Sequence, residues 1–345
     1  MIKAAILGAT GYAGCELVRL LLCHRDVELV YLASHSYEGK KFSEVYPMFQ
    51  GLCDLTLMSD DLAAASDAAD VVFMALPAGI ASSCVTEDIL EKTCIIDLGA
   101  DFRLHDAGVY EKWYKTEHGN SKLLNEAVYG LPEIHRDSIR GKRLIANPGC
   151  YTTASILALY PLVKHHLVDT SSIIIDAASG TSGAGRGNKT SSLFCEVDES
   201  FKAYGIATHR HTPEIEQELS IAAGSDIVLQ FTPHLVPMNR GILATCYARL
   251  AKGVGDEDIK ASYEECYADE YFIRLVSSAP ETRNVRGSNF ADIWYRKDER
   301  TGNIIVLSAI DNLMKGAAGQ AVQNMNIIMG LDEKCALEYF PSCTM

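Results

Sequence analysis

Short β-rich runs alternate with apolar residues at helical spacing through the first 146 positions of the chain. Lys3–Leu7, Val27–Ala33, Asp70–Leu76, Thr93–Leu98 and Arg143–Ala146 read as strands, and Cys15–Leu22 as a helix that follows the first strand at once. Strand and helix in regular succession predict a doubly wound α/β domain with a parallel sheet. The pattern changes after Cys150. A helix over Ala154–Leu159 is followed by strand-like runs at Ser172–Ala177, Ile227–Phe231, Gly241–Tyr247 and Asn303–Ser308, with few helices between them. That half predicts an α+β domain with a largely antiparallel sheet.

Punctuation between these elements carries the first chemical signal. Gly8-Ala9-Thr10-Gly11-Tyr12-Ala13-Gly14 stands between the first strand and the first helix. Glycines there permit a tight turn and let a pyrophosphate approach the backbone at the helix N-terminus, the arrangement of a Rossmann-type dinucleotide site. Gly8, Thr10, Gly11, Tyr12, Ala13 and Gly14 are therefore candidate cofactor residues. The spacing is G-x-x-G-x-x-G rather than G-x-G-x-x-G. The second strand ends in Ser34-His35-Ser36, with Lys40 and Lys41 close behind. An NAD site places an acidic residue at this strand end, to hold the ribose 2′-hydroxyl. Ser34 and Ser36 with neighbouring cations suit a 2′-phosphate instead, so NADP is favoured over NAD. Leu76 and Pro77 follow the third β-rich run, at the carboxyl edge of the sheet where ligands lie in open α/β folds.

Asn147-Pro148-Gly149-Cys150-Tyr151 places a cysteine between a Pro-Gly turn and a helical run. Unpaired N–H groups and the positive end of the helix dipole favour thiolate at such a position, which makes Cys150 a candidate nucleophile. A buried cysteine that only fills space is the plain alternative. In His209-Arg210-His211-Thr212-Pro213-Glu214-Ile215, Thr212 reads as a helix N-cap with Pro213 at the first helical position. The two histidines then sit at a helix start, where either can move protons near neutral pH. His165 and His166 read as solvent-facing residues near a helix end. The turn Ser179–Arg186 offers backbone N–H groups at Ser182 and Gly183, and its Arg186 can clamp a phosphate or carboxylate.

Composition narrows the classes. The chain has 345 residues, 48% of them hydrophobic and 22% charged, which is enough for two cores. A formal net charge of -14 argues against a nucleic-acid partner. No run approaches the ~20 apolar residues of a membrane span, and Met1–Gly8 carries no signal-peptide h-region. Eleven cysteines are scattered without C-x-x-C pairs or zinc spacing, so reduced thiols in a cytoplasm are expected, with no bound metal.

Taken in order, these motifs resemble the N-acetyl-γ-glutamyl-phosphate reductase family of the semialdehyde dehydrogenase superfamily. The resemblance runs nearly end to end. It is carried by the Gly8–Gly14 turn, Ala100–Leu104, Tyr129–Glu133, Asn147–Tyr151, Ser182–Arg186, His209–Ile215, Phe231–Leu235, Gly287–Asn289 and Asn312–Ala321. Two residues depart from the family pattern: Thr152 stands where a small apolar residue or proline is common, and Ala78 where histidine is common. The resemblance implies NADPH-dependent reduction of N-acetyl-γ-glutamyl phosphate to the semialdehyde through a Cys150 thioester. His211 or His209 would shuttle the proton, with a slight lean to His211, and Arg103, Asn147 and Arg186 would hold substrate. It implies a long helix from Leu313 to Gly330 returning to the cofactor domain, with Asn312 near the nicotinamide. The division is then 1–149 for NADP, 150–311 for catalysis and oligomer contacts, and 312–345 packed back on the first domain. A homodimer or homotetramer is the implied assembly. Two rivals are a reductase of a carrier-protein-linked glutamyl or aminoadipyl phosphate, and an NADP-binding redox sensor; the acidic net charge disfavours the first.

Overall fold

The computed structural model describes residues 1–187 and 190–341. Two compact units emerge, one formed by Met1–Pro148 with Ala317–Tyr339, the other by Gly149–Gly316.

The first unit is built on a seven-stranded sheet: β1 (Ile2–Leu7), β2 (Val27–Ala33), β3 (Leu57–Met58), β4 (Val71–Met74), β5 (Cys94–Asp97), β6 (Val128–Tyr129) and β7 (Leu144–Ala146). Their order is β3-β2-β1-β4-β5-β7-β6, and every pairing is parallel. All of β4 and the last four residues of β1 are buried, as expected for central strands covered on both faces. That double burial is why they read as continuous apolar runs. The chain order reverses across the β1–β4 pair, and ligands of such sheets lie at that crevice beyond the strand ends. Helix Gly319–Ile328 also belongs to this unit. Its Asn324 donates to the Gly130 carbonyl at 2.8 Å, and Gln320 donates to the same oxygen at 2.8 Å.

A second seven-stranded sheet organises the other unit: β8 (Val168–Gly180), β9 (Lys202–Ala203), β10 (Gln230–Val236), β11 (Ile242–Leu250), β12 (Ile273–Leu275), β13 (Ala291–Asp298) and β14 (Asn303–Ile310). The order is β12-β13-β14-β11-β8-β10-β9. Four pairings are antiparallel and two, β12–β13 and β8–β10, are parallel, so the sheet is mixed and mainly antiparallel. Alternate residues of β8, β10, β11 and β14 are buried, the mark of a sheet covered on one face. Helices Cys150–Lys164, Thr212–Ala223 and Asp256–Tyr267 belong to this unit.

Three local expectations change. The run Ile227–Phe231 pairs only from Gln230 and continues through Pro233, a residue tolerated because β9 meets β10 over two residues only. Strand β13 was not anticipated; its first three residues are all buried and the rest are half-buried or exposed, without the alternation that marks a strand, and its long antiparallel pairing with β14 secures it. The C-terminal helix is not continuous. Met314–Ala318 form a π-turn, with Gly316 N–H donating to the Asp311 carbonyl at 3.0 Å, before α-helix resumes at Gly319.

Candidate active site

In the first unit, the glycine turn is as tight as its composition suggested. Gly8 has φ +76, and a Cβ there would lie 2.4 Å from the Ala75 carbonyl oxygen. A Cβ on Gly14 would lie 2.3 Å from the Gly8 carbonyl oxygen. Only glycine lets the strand end, the turn and helix Tyr12–Leu22 approach this closely. That helix starts at Gly11 with no side-chain cap and no acidic residue in its first turn, so its leading N–H groups suit an anion. Gly8 N–H itself donates to Asp60 at 3.1 Å. These features fit a dinucleotide pyrophosphate at Gly11–Gly14.

Ser34 and Ser36 part company. Ser34 is buried, and its hydroxyl lies 2.6 Å from that of Thr10, so the pair braces the turn from beneath. Ser36 is exposed, as are His35, Lys40 and Lys41. Leu76 is half-buried and Pro77 exposed, on the loop after β4. The loop's next residues are fixed by Asp101, a fully buried carboxylate accepting from Gly79 N–H at 2.7 Å, Ser82 N–H at 2.9 Å and Tyr110 hydroxyl at 2.7 Å. Arg103 is buried too; its guanidinium donates to the Asn147 carbonyl at 2.8 Å and the Leu98 carbonyl at 2.8 Å. Asn147 donates to the Ala317 carbonyl at 3.2 Å. Within this unit Arg103 and Asn147 are therefore seen bracing the loops after β5 and β7.

The second unit holds Cys150 as the first residue of its helix, partly exposed, with Gly149 at the N-cap. Gly316 presses against it: a Cβ on that glycine would lie 2.7 Å from the Cys150 Cβ. Tyr151, His209, His211 and Phe231 form an edge-to-face aromatic cluster beside the cysteine. The two imidazole centroids are 4.9 Å apart, and Tyr151 lies 5.7 Å from His209 and 6.0 Å from His211. Tyr204 donates to the Tyr151 hydroxyl at 3.2 Å, and Tyr151 donates to the His234 carbonyl at 2.9 Å. Burial, then Tyr204, then the charge at Cys150 hold the Tyr151 phenol far above its ordinary range. Tyr204 is pushed up to about 12, chiefly by burial.

Helix Thr212–Ala223 starts one residue earlier than a cap at Thr212 predicts. His211 takes the cap position, and Thr212 and Pro213 lie inside the first turn. Because His211 is a poor capping residue, the sequence pattern pointed to the hydroxyl beside it. His209 Nδ1 accepts from the His211 backbone N–H at 3.2 Å. Burial, with a smaller contribution from Arg210, lowers the His209 pKa to about 4. His209 is thus a neutral imidazole at physiological pH, its proton on Nε2. Arg186 is exposed on the turn after β8. Asn312 accepts from Gly241 N–H at 2.7 Å and donates to Ser182 at 2.9 Å, drawing the 182–183 turn, β11 and the π-turn together.

Several residues of this architecture carry no motif signal of their own in the sequence: Asp97, Asp101, Glu214 and Tyr204. Glu214 and Asp101 lie inside motifs that were noticed for their neighbours. An acidic residue in an otherwise apolar segment beside Gly99 is the local cue that marks Asp101, whereas Glu214 stands among polar neighbours that hide it.

Comparison with known proteins follows the same division. A family model described as the semialdehyde dehydrogenase NAD binding domain matches residues 3–142, and one described as the semialdehyde dehydrogenase dimerisation domain matches residues 150–312. These matches define a nicotinamide-dependent oxidoreductase of the semialdehyde dehydrogenase class. The N-acetyl-gamma-glutamyl-phosphate reductase of Lachnospira eligens is 57% identical over 345 residues, covering 99% of each chain. That of Campylobacter jejuni is 53% identical over 342 residues, covering 98% of each. The chain belongs to the N-acetyl-gamma-glutamyl-phosphate reductase family. Among solved structures, aspartate semialdehyde dehydrogenase II of Vibrio cholerae shares the fold, with TM-score 0.71 at 18% identity, over 96% of this chain and 98% of that one. The Candida albicans aspartate semialdehyde dehydrogenase with NADP has TM-score 0.65 at 18% identity, over 95% and 98%. No helix among the described residues is long and apolar enough to cross a membrane.

Asp97 generates a prediction of its own. It ends β5, fully buried; one carboxyl oxygen accepts from Gly99 N–H at 2.8 Å, and the other has no partner. Burial first and Asp101 second raise its pKa to about 7, against the opposing pull of Arg103. The groups that face it are Asp101, Arg103, Cys84 and Tyr110. A carboxyl whose folded pKa lies above its unfolded value favours folding while neutral. Its contribution is complete below the unfolded value near 3.9 and is lost as pH rises through about 7. Thermal melts of Asp97→Asn are therefore expected to fall less than those of the wild type between about pH 5.5 and about pH 8. Parallel pH dependences would reject a neutral Asp97.

Proposed function

We propose that this enzyme reduces N-acetyl-γ-glutamyl phosphate to N-acetyl-L-glutamate 5-semialdehyde with NADPH, releasing phosphate, through a thioester at Cys150. The observation that carries the reading is a half-exposed cysteine at a helix start, beside two histidines whose rings lie 4.9 Å apart, in a chain 57% identical to a named reductase. The same reading assigns the reaction to arginine biosynthesis in the cytoplasm, by a homodimer or homotetramer; the match to a dimerisation domain supports self-association.

The Cys150 proton passes to His211, and the sulfur attacks the acyl carbon. A carbon–sulfur bond forms as the carbon–oxygen bond to phosphate breaks, and His211 returns its proton to the departing phosphate. N–H groups in the first turn of helix Cys150–Lys164 suit the oxyanion. NADPH, when bound, supplies the hydride that converts the thioester to a hemithioacetal. His211, reprotonated from solvent once phosphate has left, protonates the resulting oxygen, withdraws that proton as the carbon–sulfur bond breaks and passes it to the departing sulfur, leaving the aldehyde and the Cys150 thiol. His209, lowered to about 4, is too weak a base for that exchange at neutral pH and fits an orienting role. Arg186, exposed on its turn, suits the phosphate or the substrate carboxylate. Arg103 and Asn147 support the loops that would carry such contacts.

The cofactor would rest on Gly8, Thr10, Gly11, Tyr12, Ala13 and Gly14, with Leu76 and Pro77 on the loop after β4 and Ser182, Gly183 and Asn312 toward the nicotinamide. Its 2′-phosphate would meet Ser36 and the Lys40–Lys41 pair, while buried Ser34 serves through Thr10. The measurement that tests the whole reading is phosphate-dependent reduction of NADP by N-acetylglutamate semialdehyde, compared with the same aldehyde on a carrier protein. A carrier-only response would select the rival reductase, and no turnover with either would favour a sensor.

Cys150→Ser is expected to abolish turnover while NADP binding, followed by quenching of protein fluorescence, persists. His211→Asn is expected to lower kcat by on the order of 10² or more with little change in KM. His209→Asn is expected to show the milder or KM-weighted defect; the reverse ranking transfers the acid–base role to His209. For cofactor choice, the wild type is expected to prefer NADPH, and Ser36→Asp to narrow that preference by repelling the 2′-phosphate. Equal use of NADH by the unmodified enzyme would defeat the NADP assignment.

A further inference from the structure

Glu214 lies in the first turn of helix Thr212–Ala223, 1% exposed, in the second unit. One carboxylate oxygen accepts from the Gly149 N–H at 2.9 Å, and Gly149 is the N-cap of the cysteine helix. The Thr152 hydroxyl lies 2.9 Å from that same oxygen and 2.5 Å from the Gly149 carbonyl. A hydroxyl has one proton to give. The Gly149 carbonyl already accepts from Thr153 N–H at 2.9 Å and the Thr153 hydroxyl at 3.0 Å, so the proton of Thr152 is best used on the carboxylate. The cysteine helix has no capping side chain of its own and no acidic residue in its first turn. Its cap is borrowed from another helix.

This arrangement has two consequences for the neighbouring thiol. The bonds to residues 149 and 152 fix the turn that bears Cys150, and Gly316 closes the other side. The negative charge meanwhile sits at the helix end that would otherwise stabilise a thiolate, and like charge disfavours ionisation. We propose that Glu214 is a positioning residue for Cys150 that also opposes its ionisation, so that the thiol keeps its proton until a histidine takes it. Thr152, where the chain departs from its family pattern, tempers that charge by donating to it. Other titratable or charged groups near the cysteine, among the described residues, include Tyr151, Tyr204, His209, His211 and Arg210, with the buried Lys315 next to Gly316, and none of them changes in the test below. The proposal rests on the reading of Cys150 as nucleophile.

The test is the pH profile of Cys150 alkylation by iodoacetamide, read by mass spectrometry of the peptide in full-length wild type, Glu214→Gln and Thr152→Val. No cofactor or substrate is needed. Glutamine can still accept from Gly149 N–H but carries no charge, so alkylation at pH 7 is expected to rise about threefold to tenfold, with the profile displaced to lower pH. Valine keeps the branched shape but removes the donor, so its profile is expected to move the opposite way. A purely structural role for Glu214 would change amplitude or stability without displacing the profile, and displacement of both variants in one direction would also overturn the proposal. If Glu214→Gln does not fold, as judged by circular dichroism, Thr152→Val decides: a shift to higher pH supports the proposal, and no shift or the reverse rejects it. A wild-type Cys150 no more reactive than the buried Cys246 would instead remove the nucleophile reading on which it stands.

Discussion

The contact on which the second unit's chemistry depends is the bond from Gly149 N–H to the Glu214 carboxylate. A helix start is four unsatisfied donors looking for acceptors. Placing cysteine there costs the helix its ordinary cap, because neither glycine nor cysteine has an oxygen to fold back. The nearest sequence neighbours do not help: Tyr151 is aimed at the His234 carbonyl, and Thr153 bonds backward to Gly149. An acceptor from a separate helix resolves the conflict. It brings the His209–Ile215 segment against the cysteine in the same stroke, since Glu214 and His211 are only three residues apart. Catalytic proximity and helix capping are thus one constraint.

The first unit solves a similar problem with Asp101. The loop that follows β4 must be open enough for a ligand yet held in place, and it carries Gly79 with φ +94. Asp101 accepts from both ends of that turn and is itself oriented by Tyr110. Its charge is felt by Asp97 at the end of β5, which stays neutral longer than an ordinary carboxyl. Arg103 offsets part of this negative charge while donating to two backbone carbonyls. A segment noticed in the sequence for its arginine is therefore held together by its aspartate.

Much of the fold was legible because burial writes itself into composition. The central strands of the first sheet are apolar on both faces, and the Gly8–Gly14 turn announces itself by the absence of side chains. The cysteine at a helix start was visible for the same local reason. What escaped was whatever depends on a distant partner. Strand β13 is secured by pairing with β14 rather than by its own run. The π-turn at Met314–Ala318 inserts its extra residue where Gly316 must fit against Cys150, which no periodicity in Asn312–Ala321 reveals. Ser34 looked like a ligand contact from its place at a strand end, but its hydroxyl is turned to Thr10. Position along a strand gives the edge, and pleat decides which face.

Two of the chain's glycine-capped helices differ in what meets their N-termini. Helix Tyr12–Leu22 and helix Cys150–Lys164 begin alike, with a glycine N-cap, no side-chain cap of their own and no acid in the first turn. On local sequence they should be equally hospitable to an anion. Their surroundings separate them. The first has leading N–H groups that suit a diphosphate, a ligand whose charge is fixed and which needs no help to lose a proton. The second has its positive end partly matched by a resident carboxylate, and beside it stands a thiol whose charge, in the mechanism proposed, appears and vanishes within each turnover. A helix start that held the thiolate too well would make a good leaving group but a sluggish nucleophile, since nucleophilicity falls with pKa, and in the proposed mechanism the sulfur must both attack and depart. On the proposal made for Glu214, a carboxylate at the cap keeps the sulfur between those extremes and leaves the timing of its proton to the histidine.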